Sequence, residues 1–255
     1  IENMSYKVPF LMDFFAILAN VLTFFFIAKL FGAGATRYLG NYGGNYFPYV
    51  LIGIALAGYQ GAALQSFSLA IQREIGTGTL EAILLTPTSL NTMIISSSLW
   101  YFLLTSLRII GYLLIGAFMF HVDMSRMNFP ATVLTFLLTL SALSGLGIVS
   151  AGFVLIFKRG EPIGFLLNGA SRFLSGVYFP VTILPAWVHQ FSFMIPLTYS
   201  LEAMRGAILN GEGVTSLRFE LLSLFAFSIF MLPVSLVFFN WAIQKAKKEG
   251  SLAFD

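Results

Sequence analysis

The 255-residue chain contains no cysteine. That excludes a disulfide framework, a thiolate nucleophile and any Cys-ligated metal. Histidine is nearly as scarce: only His121 and His189 occur, without HExxH or His-x-His spacing, so neither a metal centre nor an imidazole acid/base pair is expected. Charged residues make up only 10% of the chain, against roughly 25% in soluble domains, and an ordinary soluble globule is excluded. There is no Gly-Lys dipeptide, hence no G-x-x-x-x-G-K phosphate cradle, and no Gly-x-Ser-x-Gly elbow. The chain by itself is expected to carry no catalytic residue and no cofactor. Its net charge of +3 is small and its lysines gather at one end, so no nucleic-acid partner is expected.

What the chain has instead is apolar surface: 58% hydrophobic residues, 28 of them Phe. The apolar runs repeatedly exceed the ~18 residues that make a membrane-spanning helix the leading reading. The pattern predicts an all-α polytopic membrane protein in one transmembrane domain. Its six spans fall at about residues 9–31, 47–71, 91–120, 131–157, 162–179 and 217–243, with a bend at Pro233 in the last. The chain opens IENMSYK, without an initiator Met or a charged n-region, so its first apolar run is not a cleavable signal and further residues are expected upstream.

Orientation follows from Lys and Arg. One side holds Lys7, Arg73, Lys158, Arg159, Lys245, Lys247 and Lys248; the other holds Lys29, Arg37, Arg126, Arg205 and Arg218. The bias in number is modest, but the first side has KR and KAKK directly at span ends, which places both termini in the cytoplasm. Residues 180–211 are too apolar for a free loop and are broken by Pro180, Pro185 and Pro196. Two short helices in a re-entrant hairpin on the outer side fit that composition, because irregular backbone at membrane depth must be buried in protein or line a wet cavity.

The loop after the second span reads QREIGTGTLEAILLTPTSL, from Gln72 to Leu90. Thr79 can cap a two-turn helix at about 79–87, Glu81 lies in its first turn and Pro87 stops it. Leu80, Ile83 and Leu84 fall on one apolar face. A helix this short needs something to pack against: either the headgroup surface or a cytoplasmic partner. Within the spans, Asp13, Arg108 and Arg172 are ionisable. Asp13 and Arg108 can snorkel to an interface or face protein or water; Arg172, about ten residues into the fifth span, needs a partner, and Glu202 is the leading candidate. Gln60, Asn168 and Ser175 are polar groups that lipid would not satisfy. Small residues at four-residue spacing, Gly53, Ala57 and Gly61 in the second span and Ser141 and Gly145 in the fourth, predict close helix packing within one subunit.

REIGTGTLEAILLTPTS resembles the first cytoplasmic loop of ABC-2 type transporter permeases. SGVYFPVTILPAWVHQFSFMIPLTYSLEAMRGAILNG is similar to the outer segment of the same family, with its FP, LP-x-W and P-L-T-Y elements. The two matches lie in the family's order and together cover essentially the whole chain. The amphipathic connecting helix that the family has before the first span is reduced here to IENMSYK.

The resemblance implies a half-transporter. Two copies, most simply a homodimer, pair around a translocation path, and two ABC ATPase subunits carrying ATP and Mg dock below. It implies that Arg73, Glu74, Thr79, Leu80, Glu81, Ile83 and Leu84 form the ATPase-coupling element. It also implies that the second and fifth spans line the path, where Gln60, Asn168 and Ser175 lie; an Arg172–Glu202 pair, expected from the residues themselves, would tie the fifth span to the re-entrant segment and help close the outer side. The GTLE-type loop looks more like the drug and lipid exporters of the family, in a bacterial inner membrane, than like its polysaccharide or lipid-linked glycan exporters. An ion-coupled secondary transporter would need inverted repeats, of which none is visible. A non-transporting scaffold is the other alternative, and a neighbouring ATPase gene discriminates it.

Overall fold

The computed structural model describes residues 7–42, 44–79, 83, 90–157 and 161–248. Among these there is helix and no strand. Helix α1 spans Lys7–Ala35, α2 Tyr46–Gly76, α3 Leu90–Phe120, α4 Phe129–Phe157 and α5 Glu161–Leu174. Two short helices follow, α6 (Ala186–Ser192) and α7 (Pro196–Arg205), then a π-helical turn at Gly206–Asn210 and the long α8 (Arg218–Lys248). Five of these, α1 to α4 and α8, are long and apolar enough to cross a membrane. At 31 residues α2 is about 46 Å long, more than the ~30 Å of hydrocarbon, so it crosses with tilt or projects beyond it.

Three boundaries differ from the sequence reading. Helix α2 does not stop near Ile71 but continues to Gly76, so Gln72, Arg73 and Glu74 belong to its last turns. The fifth span, expected over 162–179, is helical only to Leu174; 14 residues reach about 21 Å. Gly176 adopts φ +86°, a left-handed conformation that ends the helix at low cost only for glycine. Helix α8 passes through Pro233 and continues to Lys248.

The bundle is built around α2. In its most apolar stretch 83% of residues are buried, against 6% for α1. Helices α3 and α4 flank it, and α8 packs along α4. Small residues set the closest crossings: a Cβ on Gly147 of α4 would lie 2.2 Å from the Ala63 carbonyl oxygen of α2, and one on Gly145 would lie 2.8 Å from Met231 Cβ of α8. Gly53 and Gly61 of α2 are likewise closely approached from within the same chain. Hydroxyl pairs join the helices where water is excluded: Ser68–Ser150 at 2.8 Å between α2 and α4, and Thr139 donating to Ser200 at 2.9 Å between α4 and α7.

The ends of the bundle are distinguishable. Phe25 near the end of α1, Phe47 at the start of α2 and Phe120 at the end of α3 form a ring cluster with centroids 4.6–5.3 Å apart. This end, opposite Lys7 and Lys248, is called distal below. It also carries the α3–α4 loop, where His121 takes φ +53° and Val122 N–H donates to Gly116 O at 3.0 Å, satisfying a carbonyl of the last turns of α3. Asn128 then caps α4 through its side chain, bonded by Ala131 N–H at 3.1 Å. Asp13 and Arg108, read from sequence as separate charges, are joined at 2.6 Å across α1 and α3, each side chain about half exposed. Asp13 precedes Phe25 by twelve residues and Arg108 precedes Phe120 by twelve. The pair therefore lies about 18 Å below the ring cluster along the helix axes.

Candidate functional site

The most strongly organised polar site of the described chain is built on Arg205, at the C-terminal end of α7. Pro185 and Pro196 punctuate the segment as the sequence suggests, Pro185 at the N-cap of α6 and Pro196 at the start of α7. That leaves α7 to run ten residues and deliver Arg205 to the distal half of α2. The side chain is only 1% exposed. Its Nε donates to the Tyr49 carbonyl at 3.1 Å, and its Nη2 donates to the carbonyls of Gly176 at 3.0 Å and Val177 at 3.2 Å. The guanidinium carbon lies 3.4 Å from the Tyr49 ring centroid, and Tyr49 donates its own hydroxyl to Gly176 O at 2.8 Å.

Each part has a physical reason. A guanidinium buried without a carboxylate needs several oriented acceptors and gains from an aromatic face. Gly176 and Val177 follow the last turn of α5, where carbonyls lack intrahelical partners and the helix dipole favours a cation. Glycine at position 53 admits the approach: a Cβ there would lie 2.2 Å from Val177 O and 2.9 Å from Arg205 Nη2. One side chain thus fastens α2, α7 and the end of α5 together. A polar cavity of about 50 Å³ beside it is lined by Tyr38, Tyr42, Tyr49, Ser175 and Glu202. Burial first, and then the nearby Glu202 carboxylate, raise the Tyr42 phenol above its ordinary value, so it remains a neutral hydroxyl there.

The expected Arg172–Glu202 ion pair is not made; among the described residues the ion pair is Arg108–Asp13. Arg172 does not lie in mid-helix as its sequence position suggests. It sits in the last turn of the shortened α5, near Tyr112 of α3, with a buried Nε that has no hydrogen-bond partner. Glu202 turns to the tyrosine-lined cavity, where its charged neighbours are Glu220 and Arg205. The premature end of α5 is the cause: it moves Arg172 to a helix terminus and offers free carbonyls to Arg205. In the sequence Arg205 stands out only as one of the charges of the outer side. The one available signal was an Arg-Gly step after a proline-initiated helix.

The three path candidates separate. Asn168 of α5 packs on α2 at Gly61, whose Cβ would lie 3.1 Å from Asn168 Nδ2. Gln60, the preceding residue of α2, is buried, and the amide oxygens of both Gln60 and Asn168 have no hydrogen-bond partner. Ser175 instead lines the Arg205 cavity and donates its hydroxyl to Ser171 O.

At the proximal end, α2 closes with Thr77 N–H on Arg73 O at 2.9 Å and Gly78 N–H on Ile75 O at 3.0 Å, Gly78 taking φ +69°. The Thr79 hydroxyl bonds the Glu74 carboxylate, and the Thr79 carbonyl accepts Ile83 N–H at 3.0 Å, as an N-cap carbonyl does. Arg73 is exposed, whereas Ile83 packs against the main apolar core of this chain. Leu80, Glu81 and Leu84 lie outside the described residues.

No curated protein matches the chain as a relative. The model of one family does match, over residues 4–209 of the 255, a stretch that takes in α1 to α7, the loop after α2 and the Arg205 clamp. The chain is an integral membrane protein and belongs to the family of the ABC-2 type transporter, the membrane permease component of ABC transporters.

Proposed function

We propose that the chain is one permease half of an ATP-driven exporter. Two copies surround the path, and two ATPase subunits, holding ATP and Mg, dock on the loop after α2. The family match carries the reading. The form of α2 supports a mechanism for it. One unbroken helix runs from Tyr49, held by Arg205, to Arg73 and Glu74 at the proximal loop, about 36 Å away. A displacement imposed at Glu74–Thr79 is therefore carried by a rigid element to the clamp that fastens α5 and α7. Residues 180–211 sit as the re-entrant segment on the outer side, both termini are cytoplasmic, and α5 with its flanking turns makes the sixth crossing. The cargo is an amphiphilic, drug-like or lipid molecule in a bacterial inner membrane. Gln60 and Asn168, with amide oxygens left unpaired at the α2–α5 contact, are the path residues this chain offers.

The test is co-purification with the ATPase encoded beside it. Single cysteines at Thr79 or Glu81, in a chain that has none of its own, should crosslink to cysteines on the ATPase surface. Glu81→Arg with Leu84→Asp should lower ATPase recovery and transport at least tenfold, the effect of losing about 1.4 kcal/mol. Unchanged assembly with both substitutions would refute the docking assignment.

A further inference from the structure

A cleft of about 610 Å³ opens at the distal end between α1, α2 and α3 and plays no part in the reading above. Its lining changes character with depth. Phe25, Phe47 and Phe120, the mutually packed rings that cap the apolar parts of the three helices, lie on the membrane side. Lys29 stands one turn beyond Phe25, while His121 and Asp123 follow Phe120 directly in sequence; all three line the cleft. Lys29 and His121 make no hydrogen bond or ion pair among the described residues. Asn45, the N-cap of α2, forms no side-chain capping bond, and it lines the cleft together with the first residues of the helix.

We propose that this cleft binds one phospholipid of the leaflet at the distal end. Its phosphate sits on Lys29 and His121, its amine faces Asp123, and its first acyl carbons rest on the Phe25–Phe47–Phe120 cluster. The volume lies within the range of small-molecule sites. The order of the lining, rings below and charges above, is that of an amphiphile at the boundary of hydrocarbon and headgroups, where aromatic rings and snorkelling lysines reside. The mixed sign of the rim distinguishes headgroups: Lys29 attracts the phosphate common to all phospholipids, and Asp123 favours one that also carries a primary amine. Ser125 N–H donates to Asp123 Oδ1 at 2.9 Å, and hydrogen bonding to Ser125 holds the Asp123 carboxyl below its usual range. The lipid also has a structural task. Helix α1 is the least embedded of the long helices, and an acyl chain wedged beside Phe25 adds contacts that the protein alone does not supply.

The experiment measures binding, not transport, so it stands or falls apart from the exporter reading. The full chain in detergent, with its partner subunits where they co-purify, is titrated with five probes and read by native mass spectrometry and thermal unfolding. The probes are dioleoyl phosphatidylethanolamine, phosphatidylcholine and phosphatidylglycerol with the same chains, dioleoylglycerol, and inorganic phosphate. Phosphatidylethanolamine should bind one per chain and raise the unfolding temperature most. Lys29→Gln should weaken all three phospholipids about tenfold, as expected for one charge-assisted bond to phosphate. Asp123→Asn should remove only the preference for phosphatidylethanolamine over phosphatidylcholine. Equal retention of dioleoylglycerol, indifference to Lys29→Gln, or inorganic phosphate binding as tightly as the lipid would each overturn the proposal; the last would assign a free-anion site instead. Persistence of the headgroup preference in Asp123→Asn would overturn the role of that carboxylate.

Discussion

Arg205 makes three hydrogen bonds from within the core, and it does so without a carboxylate in contact. Three carbonyl bonds, one aromatic face and near-complete burial make it a fastening point whose loss leaves Tyr49, Gly176 and Val177 with weakened or missing partners. Arg205→Met should lower stability by roughly 3 kcal/mol or more, since bonds to a charged group contribute ~1.5–3 kcal/mol each and buried acceptors would be left unpaired. Arg205→Lys keeps the charge but not the planar fork and should recover less than half of that loss. Thermal unfolding of the purified variants checks both; a lysine variant as stable as the parent would mean that charge alone suffices. Glu202 is expected from sequence to pair with Arg172, a pair the structure does not make. Its position on the cavity wall makes it a neighbour of the clamp and not the bond that closes it.

At the scale of elements, glycines decide how closely the helices cross. A methyl group at Gly147 would meet the Ala63 carbonyl oxygen at 2.2 Å, and one at Gly53 would meet the Val177 carbonyl oxygen at the same distance. Backbone cannot yield as a flexible side chain can, so Gly147→Ala and Gly53→Ala should each cost about 1–3 kcal/mol by forcing elements apart. Gly58→Ala and Gly169→Ala, where a Cβ meets nothing within 4 Å, are the controls. They should be neutral or slightly stabilising, because alanine favours helix over glycine by up to ~1 kcal/mol. Comparable losses in all four variants would remove the crossing argument. If α2 transmits the ATPase stroke, Gly53→Ala should also reduce transport more than ATPase recovery.

For the whole molecule, the alternation of long helices puts the loop after α2 and the end of α8 at one end, and the ring cluster, the α3–α4 loop and the Arg205 site at the other. Single cysteines at Gly78, Gly160 and Gly250 should all react with a thiol reagent applied from the cytoplasmic side, and those at Gly40, Asn128 and Gly211 from the opposite side. Labelling of Gly211 from the cytoplasmic side would show that α5 and its flanking turns do not make a sixth crossing. The Asp13–Arg108 pair adds a constraint on assembly. Two half-exposed charges within the apolar stretches of α1 and α3 require water or protein against them, so the groove between α1 and α3 does not face bulk lipid alone in the assembled transporter.

By itself the sequence determined the class of solvent and most of the architecture. Runs of apolar residues longer than a soluble helix requires can be accommodated only in a bilayer, where a helix satisfies its own backbone, so the long helices and their order followed from composition and length. The loop and distal motifs likewise pointed to the family. The end of α5 was not legible, because residues 175–179 are as compatible with continued helix as with a turn until Gly176 is seen at φ +86°. Nor was the role of Arg205, whose acceptor Tyr49 O lies 156 positions away. An apolar run states that its groups must be shielded from water; it does not state which distant carbonyl will face a buried charge. That choice belongs to tertiary structure, because a hydrogen bond depends on distance and angle in space, and proximity along the chain fixes neither beyond a few turns of helix.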